Sequence, residues 1–265
     1  MKWLNGNIEN RRVRNICGSI CILSWVLTGG IHGKLTAQSL SAQQILQRVD
    51  DNIGSDNKIS LSKMIIHGRR GSRTIESKSW IQGSEKSYTE YLAPAREAGT
   101  KMLKLGDELW TYTPSTDRII RISGHLLRQS VMGSDLSYED MMEDKKLNDV
   151  YNATIEGDST IQRRSCWELL LTVKTDEDVA YDSRRVWVDK ERFVTYKENR
   201  YAKSGKLLKT TIVKDVRKID GRWVPTEIVF KDVLKAGDGT TFIINDIEFN
   251  ATIPDYIFSK AVLRR

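Results

Sequence analysis

The sequence holds few of the residues from which catalytic centres and metal sites are usually built. Its 265 residues include three histidines and three cysteines. They contain no HExxH or CxxC motif and no nucleophile elbow, and the glycine-containing stretch at 68–72 lacks the lysine and the following helix of a phosphate-binding loop. We therefore expect a binding protein rather than an enzyme, with no catalytic residue, no metal and no cofactor.

Long apolar runs are also missing. The longest, Ile16–Leu27, has twelve residues, whereas a helix that spans a bilayer needs about 20. A basic start precedes this run, and the small residues Ala37 and Ser39 follow it. This order predicts a secretory signal at residues 1–37, cleaved after Ala37 or Ser39, and it disfavours the alternative of a retained membrane anchor. The rest of the chain is then expected to be soluble in the periplasm.

Cysteine is nearly absent once the signal is removed. Cys17 and Cys21 lie within the apolar run rather than after it, so they do not mark a lipid attachment site. Cys166 alone remains, which excludes an internal disulfide, and its apolar surroundings predict a small buried side chain. A core without cross-links must therefore hold residues 38–265 together, and this length suits a single domain.

The charge balance does not indicate nucleic-acid binding. The formal charge is +7, but residues 1–37 hold five basic residues and one acidic residue, so the remainder has 37 basic and 34 acidic residues and a charge of +3. No cluster of lysine and arginine is interleaved with exposed aromatic residues, which nucleic-acid binding would favour. We expect no nucleic acid among the partners.

One helix is predicted at the start of the mature chain, and strands dominate the rest. Ser41 and Gln44 form a capping box, and Gly54 is suited to end the helix in the left-handed conformation. Beyond it, about a dozen short alternating runs joined by turn residues predict a meandering antiparallel sheet or barrel. The predicted strands cover 59–69, 72–82, 85–92, 100–105, 108–113, 118–122, 150–156, 161–174, 182–188, 193–201, 206–216, 223–233 and 240–249.

Two segments interrupt or follow the strands. Residues 125–144 mix helix-forming residues with Gly133, and Ser137 with Asp140 predicts a capped helix there. Residues 253–258 predict a last helical turn. Four acidic residues in the first segment favour a solvated helix face over a metal or acid–base cluster: Glu139, Asp140, Glu143 and Asp144.

Apolar side chains that alternate along the strands predict a ligand cavity. Each of them is, taken singly, more often part of an ordinary core. A sheet with few covering helices would nevertheless leave part of one face open, and a large apolar pocket suits acyl chains. The candidate cavity residues are Leu103, Leu105, Trp110, Tyr112, Ile120, Ile122, Trp167, Leu169 and Leu171. The candidate lid residues, whose methionines suit a surface that repacks, are Ile45, Val49, Met132, Leu136, Met141 and Met142.

Four stretches carry a family resemblance. They are LAPAREAGTKMLKLGDELWTYTPSTDR (Leu92–Arg118), ISGHLLRQSVMGSDLSYEDMM (Ile122–Met142), DGRWVPTEIVF (Asp220–Phe230) and IPDYIF (Ile253–Phe258). The part from Met132 to Asp140 is the most specific. Over essentially the whole mature length, the chain resembles the LolA-like outer membrane lipoprotein-sorting protein family, in its broader form rather than the founding carrier.

The resemblance implies a fold and a function. The fold is an incomplete antiparallel β-barrel whose concave apolar face is closed by a few short helices, with the opening helix and the methionine-rich segment as the lid. The function is that of a periplasmic carrier that holds the acyl chains of a lipoprotein or another envelope lipid. A membrane-embedded transporter or an outer-membrane acceptor is the expected partner. The alternative is a sensor or interaction module that regulates a membrane partner through the same fold.

Overall fold

The computed structural model describes residues 40–54, 57–143, 145–175, 177 and 179–265. The predicted signal at 1–37 lies outside these residues with its two cysteines, as do Ser39 and Asp144. Within the described ranges, no helix combines the length and the apolar character that crossing a membrane requires.

Antiparallel strands joined by tight turns make up most of the described chain. The described residues contain thirteen strands, and most of these begin and end within two residues of the predicted bounds. The strands are β1 (Asn57–Gly68), β2 (Gly71–Gln82), β3 (Lys86–Ala93), β4 (Lys101–Leu105), β5 (Glu108–Thr113), β6 (Arg118–Ile122), β7 (Tyr151–Ile161), β8 (Arg164–Val173), β9 (Ser183–Asp189), β10 (Thr195–Tyr201), β11 (Leu207–Ile219), β12 (Arg222–Asp232) and β13 (Gly239–Phe249).

The strands form one open sheet. Its order is β6-β5-β4-β3-β2-β1-β13-β12-β11-β10-β9-β8-β7, so two meanders meet where β1 pairs with β13. The outermost strands, β6 and β7, are consecutive along the chain but lie at opposite edges. This arrangement confirms the mainly-β fold and the incomplete antiparallel barrel.

The connection from β6 to β7 must therefore travel across a face of the sheet. We call residues 123–150 the crossover segment. It contains two 3₁₀ turns, Gly124–Arg128 and Val131–Gly133, and two short helices, α2 (Tyr138–Met142) and α3 (Leu147–Val150). We call the face that it covers, which also carries the first helix, the inner face.

The first helix, α1 (Ala42–Ile53), forms as the sequence predicts at its start but not at its end. The Ser41 hydroxyl accepts from Gln44 N at 3.2 Å, and the Gln44 side chain accepts from Ser41 N at 2.9 Å, so the capping box is confirmed. The left-handed end predicted at Gly54 is wrong, because its φ is −63°. The chain leaves this helix in an extended conformation, and the Gly54 N–H still bonds to the Asp50 carbonyl oxygen.

Apolar packing on both faces holds the sheet. On the inner face, α1 packs over β7 to β9, and the crossover segment packs over β1 to β6. On the outer face, the C-terminal turns Asp255–Phe258 and Lys260–Arg264 cover β3 to β5. The first of these turns was predicted to start at Pro254, but Pro254 is the cap residue that precedes it, and the second turn was not predicted.

Strand β7 departs most from its predicted bounds, and β11 also continues past its predicted end at Val216, to Ile219. The prediction ended β7 at Glu156, whereas the strand continues to Ile161 through a register shift between Ile155 and Gly157. As an edge strand, β7 has one neighbour and one solvated side, so its polar residues 158–160 fit a strand without making an apolar alternation.

Gly239 lies where the sheet has little room for a side chain. Its φ is +94°, and a Cβ atom would lie 2.5 Å from the Phe230 carbonyl oxygen. Gly205 has a φ of +77°, but a Cβ atom there would meet nothing within 4 Å. We expect Gly205→Ala to lower the free energy of unfolding by about 1 kcal/mol, the usual cost of a left-handed Cβ, and Gly239→Ala to lower it by more. Urea denaturation measures both, and equal losses would contradict the close approach.

Candidate functional site

A small cavity lies between the crossover segment and the inner face. Its volume is about 40 Å³. Strands β1, β2, β3 and β13 form the floor, and the crossover segment forms the roof through Val131, Leu136 and Met141. The floor residues are Ser62, Met64, Ile75, Ser77, Ser79, Thr89, Tyr91 and Phe242.

The polar atoms of the floor pair with one another across the strands. Ser62 Oγ and Ser77 Oγ are 3.0 Å apart, and Ser79 Oγ and Thr89 Oγ1 are 2.9 Å apart. Met64 faces Ile75 on one side and Phe242 on the other. Because these hydroxyl groups satisfy each other, the floor presents a mostly apolar surface with no need for water.

The cavity is much smaller than a lipid. Pockets that hold organic ligands of moderate size usually measure about 300–1,000 Å³. An acyl chain therefore fits only if the roof moves away from the floor. The attachments of the crossover segment to the sheet decide how this happens.

The first attachment lies at Ser130–Asp135, which we call the clasp. The Asp135 N–H donates to Thr240 Oγ1 at 3.0 Å, and this hydroxyl donates back to Asp135 Oδ2 at 2.8 Å. The other Asp135 oxygen accepts from the Asp232 N–H at 2.9 Å. Lys235 donates to Ser130 and Ser134, and Arg73 donates to the Met132 carbonyl oxygen. Many short polar contacts thus fix this part of the segment to the sheet.

The second attachment is a buried group of charges that we call the ion cluster. Arg200 Nη1 lies 3.2 Å from Asp140 Oδ1 and 3.3 Å from Glu143 Oε2, and its Nη2 lies 3.0 Å from Glu198 Oε2. Arg184 contacts Glu143 and Glu198, and Lys209 contacts Asp140. Two carboxylates come from the α2 region and the other groups from β9, β10 and β11. The members are Asp140, Glu143, Arg184, Glu198, Arg200 and Lys209.

The cations stabilise the charged form of most of the carboxylates. Burial would raise the pKa of Asp140, but Lys209 and Arg200 outweigh it, so this pKa lies below its ordinary value. The pKa of Glu198 is lowered by the two arginines against the same effect of burial. For Glu143 burial dominates, and its pKa is raised. Of the two carboxylates that tie the α2 region to the sheet, Asp140 is therefore the one whose charged form the cluster stabilises more.

The predicted cavity residues do not all lie on one face. Leu103, Leu105, Trp110 and Tyr112 pack on the outer face against the C-terminal turns. The other five point to the inner face. Trp167, Leu169 and Leu171 pack beneath α1, Ile122 packs beneath the crossover segment, and Ile120, two residues before it on the edge strand, is 46% exposed.

The predicted lid residues lie on the inner face in two groups. Ile45 and Val49 of α1 are buried over β7 to β9. Met132, Leu136, Met141 and Met142 pack with the residues around the cavity. Of the residues that the sequence singled out, Leu136 and Met141 line the cavity itself. Alternation assigned neighbours to a common face, but it could not say which face the crossover segment covers.

The ion cluster was missed from the sequence. The acidic residues of α2 were expected on a solvated face, and this is wrong for Asp140 and Glu143, whose side chains are 2% and 24% exposed. Because the crossover segment is pressed onto the sheet, these carboxylates meet the cations of β9 to β11. A signal was present: Arg184 alternates with the buried residues Val186 and Val188, which predicts an inward position.

Among the described residues, neither His67 nor His125 is paired with an acidic side chain. His67 Nδ1 and Nε2 lie 3.0 Å from Ser72 Oγ and Thr241 Oγ1, and His125 lies in an exposed turn. In the described ranges, no group of three or more His, Cys, Asp or Glu side chains is placed to hold a metal. Cys166 is fully buried, as expected, and burial raises the pKa of its thiol.

Removal of one cation tests the strength of the ion cluster. Arg200→Met leaves buried carboxylates without a partner, so we expect the free energy of unfolding to fall by about 3–5 kcal/mol. Arg185→Met is the matched control, since Arg185 pairs with Glu168 while 40% exposed, and its loss should cost about 1 kcal/mol or less. Urea denaturation measures both. A similar small loss for the two variants would show that the cluster does not hold the segment.

The pH dependence of stability tests Asp140. Because its folded pKa is lowered, the stabilisation is fully present above the unfolded value, about 3.9, and is lost as pH falls through the folded value. Asp140→Asn should therefore be less stable than the unmodified protein by about 3 kcal/mol at pH 7, with a smaller difference at pH 3. Urea denaturation at both values measures this. If the difference in stability between Asp140→Asn and the unmodified protein is the same at both pH values, the ion pairs of Asp140 do not stabilise the fold. Asp238→Asn, at an exposed turn, is the control and should change the stability little at either pH.

Several solved structures share this fold. A DUF1329 family protein from Desulfovibrio piger is 24% identical with a TM-score of 0.77, and the match covers 84% of this chain and 97% of that one. A putative outer membrane lipoprotein-sorting protein domain from Vibrio parahaemolyticus is 24% identical with a TM-score of 0.74, covering 84% and 98%. A LolA superfamily protein from Nitrosomonas europaea is 26% identical with a TM-score of 0.70, covering 84% and 100%. Among curated proteins, no relative is found.

A family model described as "Uncharacterized protein" matches residues 83–265, which is more than half of the chain. The matched part includes the crossover segment and every member of the ion cluster. The fold, the crossover segment over its inner face and these matches agree with the resemblance of the sequence stretches. The chain belongs to the LolA-like outer membrane lipoprotein-sorting protein family.

Proposed function

We propose that this protein is a periplasmic carrier that holds an acyl chain between the crossover segment and the inner face of the sheet. The observation that carries the proposal is the cavity, whose floor belongs to the sheet and whose roof belongs to the crossover segment. This segment rests on the floor through apolar side chains and is tied to the sheet by the polar contacts of the clasp and the ion cluster. The names of the matched proteins, a lipoprotein-sorting domain and a LolA superfamily protein, support a carrier over an enzyme.

We expect the clasp and the ion cluster to respond differently when the crossover segment moves away from the sheet. The clasp joins the segment to β12 and β13 through backbone and side-chain hydrogen bonds around Asp135. The ion cluster joins α2 to β9, β10 and β11 through charges that water can solvate once they separate. We expect the clasp to stay in place while α2 lifts, so that Met141 leaves the floor and hydrocarbon replaces it. Leu136 stays with the clasp, because its carbonyl oxygen accepts from the Val131 N–H at 2.9 Å.

We expect the exposed edge of the sheet at β6 to provide the entrance. Ile120 on β6 is 46% exposed, and its strand has no further neighbour on that side in the described chain. Ile122, two residues on, is buried against the crossover segment. Leu109 of β5 and Met102 of β4 lie between this edge and the cavity and belong to the same apolar cluster as Ile122, so we expect hydrocarbon to pass over them when the crossover segment opens. A membrane-embedded transporter or an outer-membrane acceptor that delivers or receives the lipid would meet the protein at this edge.

A charge in the roof tests the proposal. Met141 lines the cavity and is partly exposed, so Met141→Asp should fold, yet it would place a carboxylate against hydrocarbon. Because burying an unpaired charge is costly, we expect the affinity for a fluorescent fatty acid to fall by about tenfold or more. Titration of the fluorescence measures this, and the melting temperature shows whether the variant is folded.

The control is Tyr256→Asp, at a residue of the outer face that is 53% exposed, and it should bind like the unmodified protein. Native mass spectrometry of protein recovered from the periplasm should also show acyl-bearing adducts. If Met141→Asp binds as tightly as the control, or if no acyl molecule accompanies or binds the protein, the proposal is wrong. A stoichiometric protein partner recovered without lipid would favour the regulatory alternative.

A further inference from the structure

The ion cluster has a charge balance that depends on the position of the α2 region. When the crossover segment is in place, three cations of the sheet face three carboxylates. Glu198 belongs to the sheet, whereas Asp140 and Glu143 belong to the crossover segment. If α2 lifts, the two carboxylates leave and the sheet keeps Arg184, Arg200 and Lys209 with Glu198 alone. These four side chains then have a formal net charge of +2.

This exposed charge lies inside the binding face rather than on the outer surface. With the segment in place, the side chains of Arg200 and Lys209 are each 13% exposed, and that of Arg184 is 5% exposed. Arg200 Nε is buried and has no hydrogen-bond acceptor among the described residues. Cations in such a site are incompletely solvated after opening, so an anion with several oxygen atoms would bind them strongly.

With the crossover segment in place, the position of the Asp140 carboxylate shows where an anionic group binds. Asp140 accepts from Arg200, Lys209 and the Tyr181 hydroxyl, the last at 2.6 Å. Its carboxylate therefore occupies a position with at least three donors, where an anionic group is stabilised. A phosphate in a lipid head supplies acceptors of the same kind: a phosphodiester has two free oxygen atoms and a charge of −1, as the Asp140 carboxylate has, and a phosphomonoester has three and a charge of up to −2, which matches the two carboxylates that leave.

We propose that the inner face takes a lipid with an anionic, phosphate-bearing head, and that Asp140 and Glu143 occupy the head-group site when no lipid is bound. The acyl chains would lie over the floor between Met64 and Phe242, and the phosphate would lie over Arg200 and Lys209. Lipid binding and opening are then coupled, because the head group replaces the charges that α2 removes. The inference rests on the proposed function and adds the chemical class of the ligand.

The test compares two lipids with the same acyl chains and different head groups, and it adds the phosphate ion alone. The protein, recovered from the periplasm, is titrated with dioleoyl phosphatidylglycerol, with dioleoylglycerol and with inorganic phosphate. We expect the phospholipid to bind at least about tenfold more tightly than the neutral lipid, as a charge-assisted contact provides. Inorganic phosphate should bind far more weakly than either the phospholipid or the neutral lipid.

Two substitutions with opposite expected effects separate recognition from a structural role. Lys209→Gln removes a cation of the sheet and should bring the two lipids within about threefold of each other. Glu143→Gln removes a competing carboxylate and should tighten phosphatidylglycerol binding while the preference for it remains. A merely structural cluster would make both substitutions change the affinities of the two lipids equally.

The outcomes distinguish the inference from the proposed function. If both lipids bind with equal affinity, the head-group site is wrong and the carrier function stands. If inorganic phosphate binds as tightly as phosphatidylglycerol, the site recognises the ion without a lipid and the inference is overturned. If neither lipid binds, the carrier function itself is wrong, and the inference falls with it.

Discussion

The cover over the inner face depends on the positions of β6 and β7. These strands follow each other in the chain but lie at opposite edges of the open sheet, so the crossover segment has to cover the inner face. It is not continuous with the hydrogen-bonded ladder, and its helices are too short to be stable without tertiary contacts. A cover that is bound to the sheet by side-chain packing and by hydrogen bonds outside the strand ladder can separate from it without breaking strands.

Apolar and charged contacts divide the inner face. The packing of α1 over β7 to β9 forms a core in which Ile45, Leu46 and Leu169 are fully buried. The opposite half holds the cavity beneath the crossover segment. The ion cluster lies on the strands between these halves and holds α2. Replacing such a cluster by apolar residues is often neutral or stabilising, so stability alone does not account for it.

The sequence predicts the elements better than their assembly. Alternation located the strands, and the capping boxes at Ser41 and Ser137 located two helices, because these signals depend on neighbouring residues. It could not tell that Leu103 and Trp110 face the C-terminal turns, since the choice of face is set by where distant segments pack. Nor could it pair Asp140 with Arg200, 60 residues away. Their pairing requires knowledge of the crossover, which only the strand order provides.

Photochemical cross-linking tests most directly whether hydrocarbon enters beneath the crossover segment. A fatty acid with a diazirine near the end of its chain is bound, irradiated and located by mass spectrometry of peptides. If the hydrocarbon lies beneath the crossover segment, labels are expected on the strands that carry Met64, Ile75 and Phe242 and on the segment around Met141. Labels confined to the outer face, on the peptides of Leu103, Trp110 and the C-terminal turns, would contradict it.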